Sequence, residues 1–305
     1  MDSRISRLRD RQIYLGTSSW KYPGWQGWFY QRPYKSQKSF NENCLAEYAE
    51  YFSAVGVDHT YYAWPKAEMF QRYAEITPDA FRFGLKATER TTVFRFPRIA
   101  RYGKDAGTDN AGFLDPTLFQ TEFLRPLENV SDRLSPILLE FSEFRPGMLE
   151  SGGEFVERLD YFFAALRNQT RFRFSVELRN RNWLKPAYFE MLARHGVSHV
   201  YNSWTRMPSL AEQLELASPY ALPSLVSRVL LQPGTKYEEA VEAFSPYDKV
   251  VEEQPLLRQA IARLIKKAID LRLPAYIFVN NRAEGCAPRT IEGVLACLEQ
   301  DGLFD

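Results

Sequence analysis

The sequence is short of the residues that most metal and redox chemistry needs. It has three histidines and three cysteines in 305 residues. The cysteines, Cys44, Cys286 and Cys297, are odd in number and no two stand as C-x-x-C. Neither a zinc cluster nor a disulfide framework is therefore indicated. A metal site of the endonuclease type needs several His, Asp and Glu ligands, but His195 and His199 fall around the start of the sixth expected strand, at the wrong end of a barrel, and His59 lies mid-strand. No cofactor or metal is expected; the one arrangement left open is a divalent ion on Glu140 and Glu177. No glycine-rich loop of Walker or Rossmann spacing occurs, and no Ser–His–Asp set stands out.

No apolar run approaches membrane-spanning length, so no membrane contact is expected. The opening MDSRISRLRDRQ has charges but no apolar stretch behind them. It is read as a flexible extension over residues 1–12, not as a signal peptide, and the expected location is cytoplasmic. The net charge of +1 gives no global pull toward nucleic acid, so any anion binding must come from a local patch.

What the chain does have is alternation. Short runs rich in β-branched and aromatic residues alternate with longer segments of helical period. The spacing predicts strands at Ile13 to Trp20, Val57 to Trp64, Phe81 to Ala87, Ile137 to Phe141, Arg173 to Arg179, His199 to Trp204, Leu225 to Gln232 and Tyr276 to Asn281. Helices are expected at Phe40 to Phe52, Lys66 to Ile76, Thr117 to Asn129, Glu154 to Asn168, Pro186 to His195, Leu210 to Leu216, Pro255 to Leu271 and Thr290 to Glu299. Pro126 should kink or end its helix. Eight strand–helix units imply an α/β fold, a single (β/α)8 TIM barrel over residues 1–305 with a long loop, Thr88 to Asp115, after strand three. A doubly wound sheet with an appended domain is the alternative.

Strand parity then sorts the side chains. In strand five, Phe174, Val176 and Leu178 should meet the helices, which turns Ser175, Glu177 and Arg179 inward. The same alternation turns Gly84 and Lys86, Leu138 and Glu140, Arg228 and Leu230, and Phe278 and Asn280 inward. The polar members fall late in their strands, at the carboxyl end where barrel enzymes keep their catalytic groups. Two readings stay open: an internal salt-bridge network, since buried charges must be paired, and a ligand site. As a site, Glu177 and Glu140 are acid–base candidates and Lys86 a charge partner or Schiff-base lysine. Arg179 and Arg228 would clamp an anion, and Asn280 and Asn281 would hydrogen-bond it.

A second signal is electrostatic. Arg82, Lys86, Arg90, Arg95, Arg98, Arg101 and Lys104 lie within one segment, opposed there only by Glu89, with Phe94, Phe96 and Tyr102 interleaved. Cations with aromatics suit phosphate contact and base stacking, and a solvated loop with anchoring rings suits the pattern equally. Aromatics make up 15% of the chain, and Trp20, Tyr22, Trp25 and Trp28 after strand one are candidates for stacking or for a packed lid.

Gly16 to Tyr30, GTSSWKYPGWQGWFY, resembles the opening of the YecE-like family, domain of unknown function 72. DHTYYAWP (58–65), FRFGLKAT (81–88), SPILLEF (135–141), VELRNRNW (176–183), SRVLLQPG and VNNRAEGCAP resemble its later motifs, in order and over nearly the whole chain. The resemblance implies a TIM barrel and no particular reaction. It also draws Thr60, Tyr62 and Trp183 into the candidate substrate-binding set. Glu140 departs from the pattern by standing where many members have glutamine, and His59 by standing where small polar residues are common. The function expected is an enzyme, a possible hydrolase acting on a small anionic ligand that contains phosphate or sugar. The alternative is a non-catalytic module that binds single-stranded nucleic acid or a phosphorylated ligand through the loop at 82–104. Oligomeric state is left open.

Overall fold

The computed structural model describes residues 2–231 and 237–304. Eight parallel strands form one sheet in the order β3-β2-β1-β8-β7-β6-β5-β4. They are β1 (Ile13–Thr17), β2 (Ala54–Val57), β3 (Arg82–Leu85), β4 (Ile137–Phe141), β5 (Phe174–Leu178), β6 (Ser198–Asn202), β7 (Leu225–Val229) and β8 (Ala275–Val279). Parallel bridges Phe83–Leu134 and Lys86–Leu138 join the two ends of that order and close the barrel. Helices connect successive strands, so the fold is an α/β TIM barrel.

The barrel interior holds an apolar layer. Ala54, Leu138, Val200, Val226, Tyr276 and Phe278 form one buried cluster there. Phe83, Leu139, Val176, Val229 and Ile277, one position away in the alternation, belong to the separate core beneath the helices. The strand parity read from the sequence is therefore the parity of the barrel. Gly84 is needed where it stands: a Cβ there would come within 2.3 Å of the Phe278 ring. Phe278 fills the centre because Gly84 leaves it room.

Several boundaries differ from expectation. Strand two is Ala54–Val57, not Val57 to Trp64, and Asp58–Tyr61 is a 3-10 turn at its carboxyl end. The aromatic run imitates strand composition, but the paired strand is the short apolar AVGV, whose residues are all buried. Residues 1–12 are not a flexible extension in their described part. Ser3–Asp10 is a helix capped by Asp2, with Ile5 and Leu8 buried in the main core. The helix expected at Thr117 to Asn129 starts as Pro116–Leu118, widens to a π-helical segment at Phe119–Leu124 and tightens to 3-10 from Arg125. Pro126, which has no N–H to donate, sits at the last of these changes. A helix at Tyr237–Phe244 was not expected. Gln232, placed at the end of strand seven by the sequence, lies outside the described residues. No helix among the described residues is long and apolar enough to cross a membrane.

Candidate functional site

Alternate positions on β4, β5 and β7 carry the centre of the site. Glu140 and Glu177 are register partners on neighbouring strands, so their carboxylates start side by side. Arg228 enters from β7 and places Nη1 2.6 Å from Glu140 Oε2 and 2.5 Å from Glu177 Oε2. Arg179, one residue beyond β5, places Nη2 3.0 Å from Glu140 Oε1 and 2.9 Å from Glu177 Oε1. Lys86, just past β3, sets Nζ 2.7 Å from Glu140 Oε2. Asp58 stands further out, 3.9 Å from Lys86 and 3.7 Å from Arg228.

These groups are buried in an order that matters. Glu177 is wholly buried, and Glu140 and Arg228 are nearly so. Two like charges side by side would be prohibitive without compensation, and two arginines and a lysine supply it. Burial opposes ionisation of Glu140, but Arg179, Lys86 and Arg228 together outweigh burial and hold its carboxyl well below the ordinary 4.5. Burial likewise disfavours the charged form of Arg228, and Glu177, Glu140 and Asp58 reverse this, raising its pKa. Glu140 and Arg228 are thus both held in their charged forms at neutral pH.

A cleft of about 430 Å³ opens above this centre. Lys86, Glu140, Arg179, Arg228, Asn280 and Arg282 line its polar side. Tyr22, Tyr61, Tyr62 and Trp204 line its aromatic side. The two sides interlock: the Arg179 guanidinium lies 4.0 Å from the Trp204 ring centre, and Lys86 Nζ 4.3 Å from that of Tyr61. The cleft is of ordinary small-ligand size.

The candidates named from sequence divide in three. Lys86, Glu140, Arg179, Arg228, Asn280, Tyr22 and Tyr62 reach the cleft. Glu177 stands behind it, holding Arg179 and Arg228. The others serve the scaffold. Thr60 is buried and its hydroxyl donates to the carbonyls of Val57 and Lys86, which ties the turn after β2 to β3. Trp20 is buried edge-on to Tyr73. Trp183 stacks on Phe144 at 5.2 Å and borders a separate groove with Gly152 and Tyr188. Asn281 accepts from the Ala287 amide, fixing the start of the last helix, Ala287–Gln300. Asn280 spends its carboxamide oxygen on the Arg282 amide while still bordering the cleft.

Asp58, Tyr61, Trp204 and Arg282 were missed. Asp58 and Tyr61 were hidden inside the run read as strand two. A turn immediately after a short apolar strand is the signal that places both at the mouth.

The basic loop is also more balanced than its sequence window suggests. Arg101 pairs with Glu89 at 2.7 Å, Arg90 with Asp105 at 3.7 Å and Arg95 with Asp109 at 2.5 Å. Asp105 and Asp109 lie just beyond the segment counted, and the loop folds back on itself to reach them. The backbone of Phe96 bonds to Thr108 and Gly107, and that of Asn110 to Phe94. Arg98 packs its side chain against Gly107. Arg101 also stacks on Tyr62, 4.7 Å from its ring centre, so the loop props the rim of the cleft.

Two of the three histidines are placed for structure. His199 is buried between Tyr188 and Gln213, and burial lowers its pKa to about 4. His195 pairs with Asp160. Among the described residues, no group of three or more His, Cys, Asp or Glu is placed to hold a metal ion.

Comparison with known proteins agrees with the fold. The family described as "Protein of unknown function DUF72" matches residues 14–303. The UPF0759 protein YecE of Escherichia coli K12 is 26% identical over 186 residues, which is 61% of this chain and 55% of that protein. The match thus spans about half the length of this curated relative. A DUF72 family protein of Enterococcus faecalis V583 superposes with a TM-score of 0.60 at 16% identity, covering 94% of this chain and 98% of that one. A DUF72 family protein of Thermotoga maritima gives 0.57 at 19% identity, covering 95% and 99%. With a family match that runs through all eight strands, the chain belongs to the DUF72 family.

Proposed function

We propose that the mouth of this barrel binds a small anionic ligand containing phosphate or sugar and hydrolyses it. The observation that carries this reading is the triple hold on Glu140 at the wall of the cleft: Lys86 at 2.7 Å, Arg228 at 2.6 Å and Arg179 at 3.0 Å. A guanidinium has five donors and an ammonium three, so pairing with Glu140 and Glu177 does not exhaust these cations. It fixes them, and a fixed donor pays no reorganisation cost when a ligand anion arrives. Arg282 adds a further positive group to the lining.

The carboxylates then take different parts. Glu140 lines the cleft and is ionised, so its role is that of base, not acid. A ligand anion that engages Lys86 and Arg228 loosens their hold on Glu140 and makes it more basic. Glu140 takes a proton from water, the water oxygen bonds to phosphorus or to the anomeric carbon, the ester or glycosidic bond breaks, and the proton passes to the leaving oxygen. Glu177 is a positioning residue that orients Arg179 and Arg228. The stacked aromatic side of the cleft suits a sugar face.

The test is a screen of phosphomonoesters, phosphodiesters and glycosides, with and without divalent metal. Glu140→Gln should abolish turnover and leave ligand affinity within a few-fold. Lys86→Met should weaken affinity. Turnover that survives Glu140→Gln would refute the assignment, and a protein that binds ligand but turns over none of these classes would reduce the site to a binding module.

A further inference from the structure

The geometry points to a second anion site, at the opposite, amino-terminal end of the barrel, built for a phosphate-bearing small molecule. A cleft of about 340 Å³ opens there between the starts of β1, β3, β4, β5 and β8. Three arginines line it: Arg82, Arg171 and Arg173. None of the three has a carboxylate within 4 Å among the described residues. Among the described residues, Asp132 is the only acid in the lining, and it is exposed to solvent.

The remaining lining adds two serine hydroxyls, two tyrosines and Gln12. Tyr14 and Tyr276 stack at 5.1 Å with 7° between their planes, and the Arg82 guanidinium lies 5.1 Å from the Tyr14 ring centre. Arg82 also donates to the carbonyls of Asp79 and Phe81, which fixes its position without neutralising it. Arg173 and the Tyr276 ring line the same cleft as Arg82. Ser131 and Ser135 border the same space. Arg133, next in sequence to Asp132, is buried against the carbonyls of Thr77 and Pro78, with Asp79 at 3.5 Å.

Like charges held around a concave wall repel one another, and an ordinary surface would scatter or pair them. Here they line one cleft, and none of them has a carboxylate within 4 Å among the described residues. The occupant that answers this lining is an acceptor-rich anion, and planar arginine forks match phosphate oxygens in pairs. The volume is at the small end of ligand clefts, enough for a phosphorylated small molecule. Tyr276 and Phe278 fill the barrel between this cleft and the mouth, so the two sites share no reacting atoms. This inference does not depend on the mouth being catalytic.

Inorganic pyrophosphate, titrated into the full chain by calorimetry at low salt, tests it. Wild type should bind, with affinity that falls as salt rises. Arg171→Gln with Arg173→Gln should weaken one binding event at least tenfold, while Lys86→Met, at the mouth, leaves that event unchanged. Arg171 and Arg173 are exposed and, among the described residues, form no ion pair, so the double variant should keep its thermal midpoint, and Arg82→Gln gives an independent second variant. No binding by wild type at millimolar pyrophosphate overturns the inference. So does binding that the double variant and Arg82→Gln leave intact, or that only Lys86→Met removes.

Discussion

At the mouth, Arg228 has carboxylate oxygens of Glu140 and Glu177 within 2.6 Å. At the amino end, Arg82 has a tyrosine ring and two backbone carbonyls. Both ends gather cations on the same barrel, but only one supplies the anions. The difference follows from depth. Glu177 is wholly buried and Glu140 and Arg228 are nearly so, and an unpaired charge at that depth would cost several kcal/mol. Arg171 and Arg173 stay exposed, so water can carry the cost of leaving them unpaired. A buried set of charges can be held in exact number and geometry before a ligand arrives, which is what catalysis asks of a site. An exposed, unpaired set can attract an anion, which is what binding asks.

The sharpest way to break this comparison is to remove one arginine from each end. Arg228→Ala leaves two buried carboxylates short of a partner and is expected to destabilise the protein by about 3–5 kcal/mol. Arg82→Ala loses a partly exposed ring contact and should cost about 1 kcal/mol or less. Urea unfolding of both variants decides, and equal losses would mean that the two clusters are not differently built.

Acid separates the ends next. The folded Glu140 carboxyl is held well below 4.5. A depressed carboxylate adds stability above its unfolded value and loses it as pH falls toward the folded value. Stability should therefore fall below about pH 4.5 in wild type, and this acid limb should flatten in Glu140→Gln. The amino-end variants should keep the wild-type slope. Chemical denaturation from pH 7 to pH 3 measures it.

The comparison is sharpened by giving the amino end what the mouth already has. Ser131 borders the cleft of Arg82, Arg171 and Arg173. Ser131→Glu should pair one of them and weaken pyrophosphate there by about tenfold, about 1.4 kcal/mol. The smallest effect belongs to the loop after β3. Asp109→Asn breaks an exposed pair with Arg95 and should leave the thermal midpoint within error.

The architecture was legible because the strands alternate so regularly. Phe174, Val176 and Leu178 against Ser175, Glu177 and Arg179 is enough to orient β5, and the parallel neighbours repeat it. The convergence of Lys86, Glu140, Arg179, Arg228 and Asn280 follows from that parity. What parity does not reach is everything set by turns. Thr60 and Asp58 lie two residues apart in one run, yet one bonds to backbone and the other borders the cleft. Both belong to the 3-10 turn Asp58–Tyr61 that follows β2, where side chains two apart no longer share a face as they would on a strand. The pairing of Arg95 with Asp109 was equally hidden, because a charge count along a window cannot see a loop that returns on itself. Residues 1–12 looked disordered because one turn of apolar residues, Ile5 and Leu8, is too short a signal to announce a packed helix.

The mouth is where the account stands or falls, and tungstate reports on it directly. Tungstate mimics phosphate and scatters anomalously, so a soaked crystal of the whole chain locates bound anion without a known substrate. The expected result is a peak in the cleft within hydrogen-bonding distance of Lys86 and Arg228, lost in Lys86→Met. Anion bound elsewhere on the protein, with that cleft vacant at saturating tungstate, would contradict an anion site at the carboxyl ends of the strands.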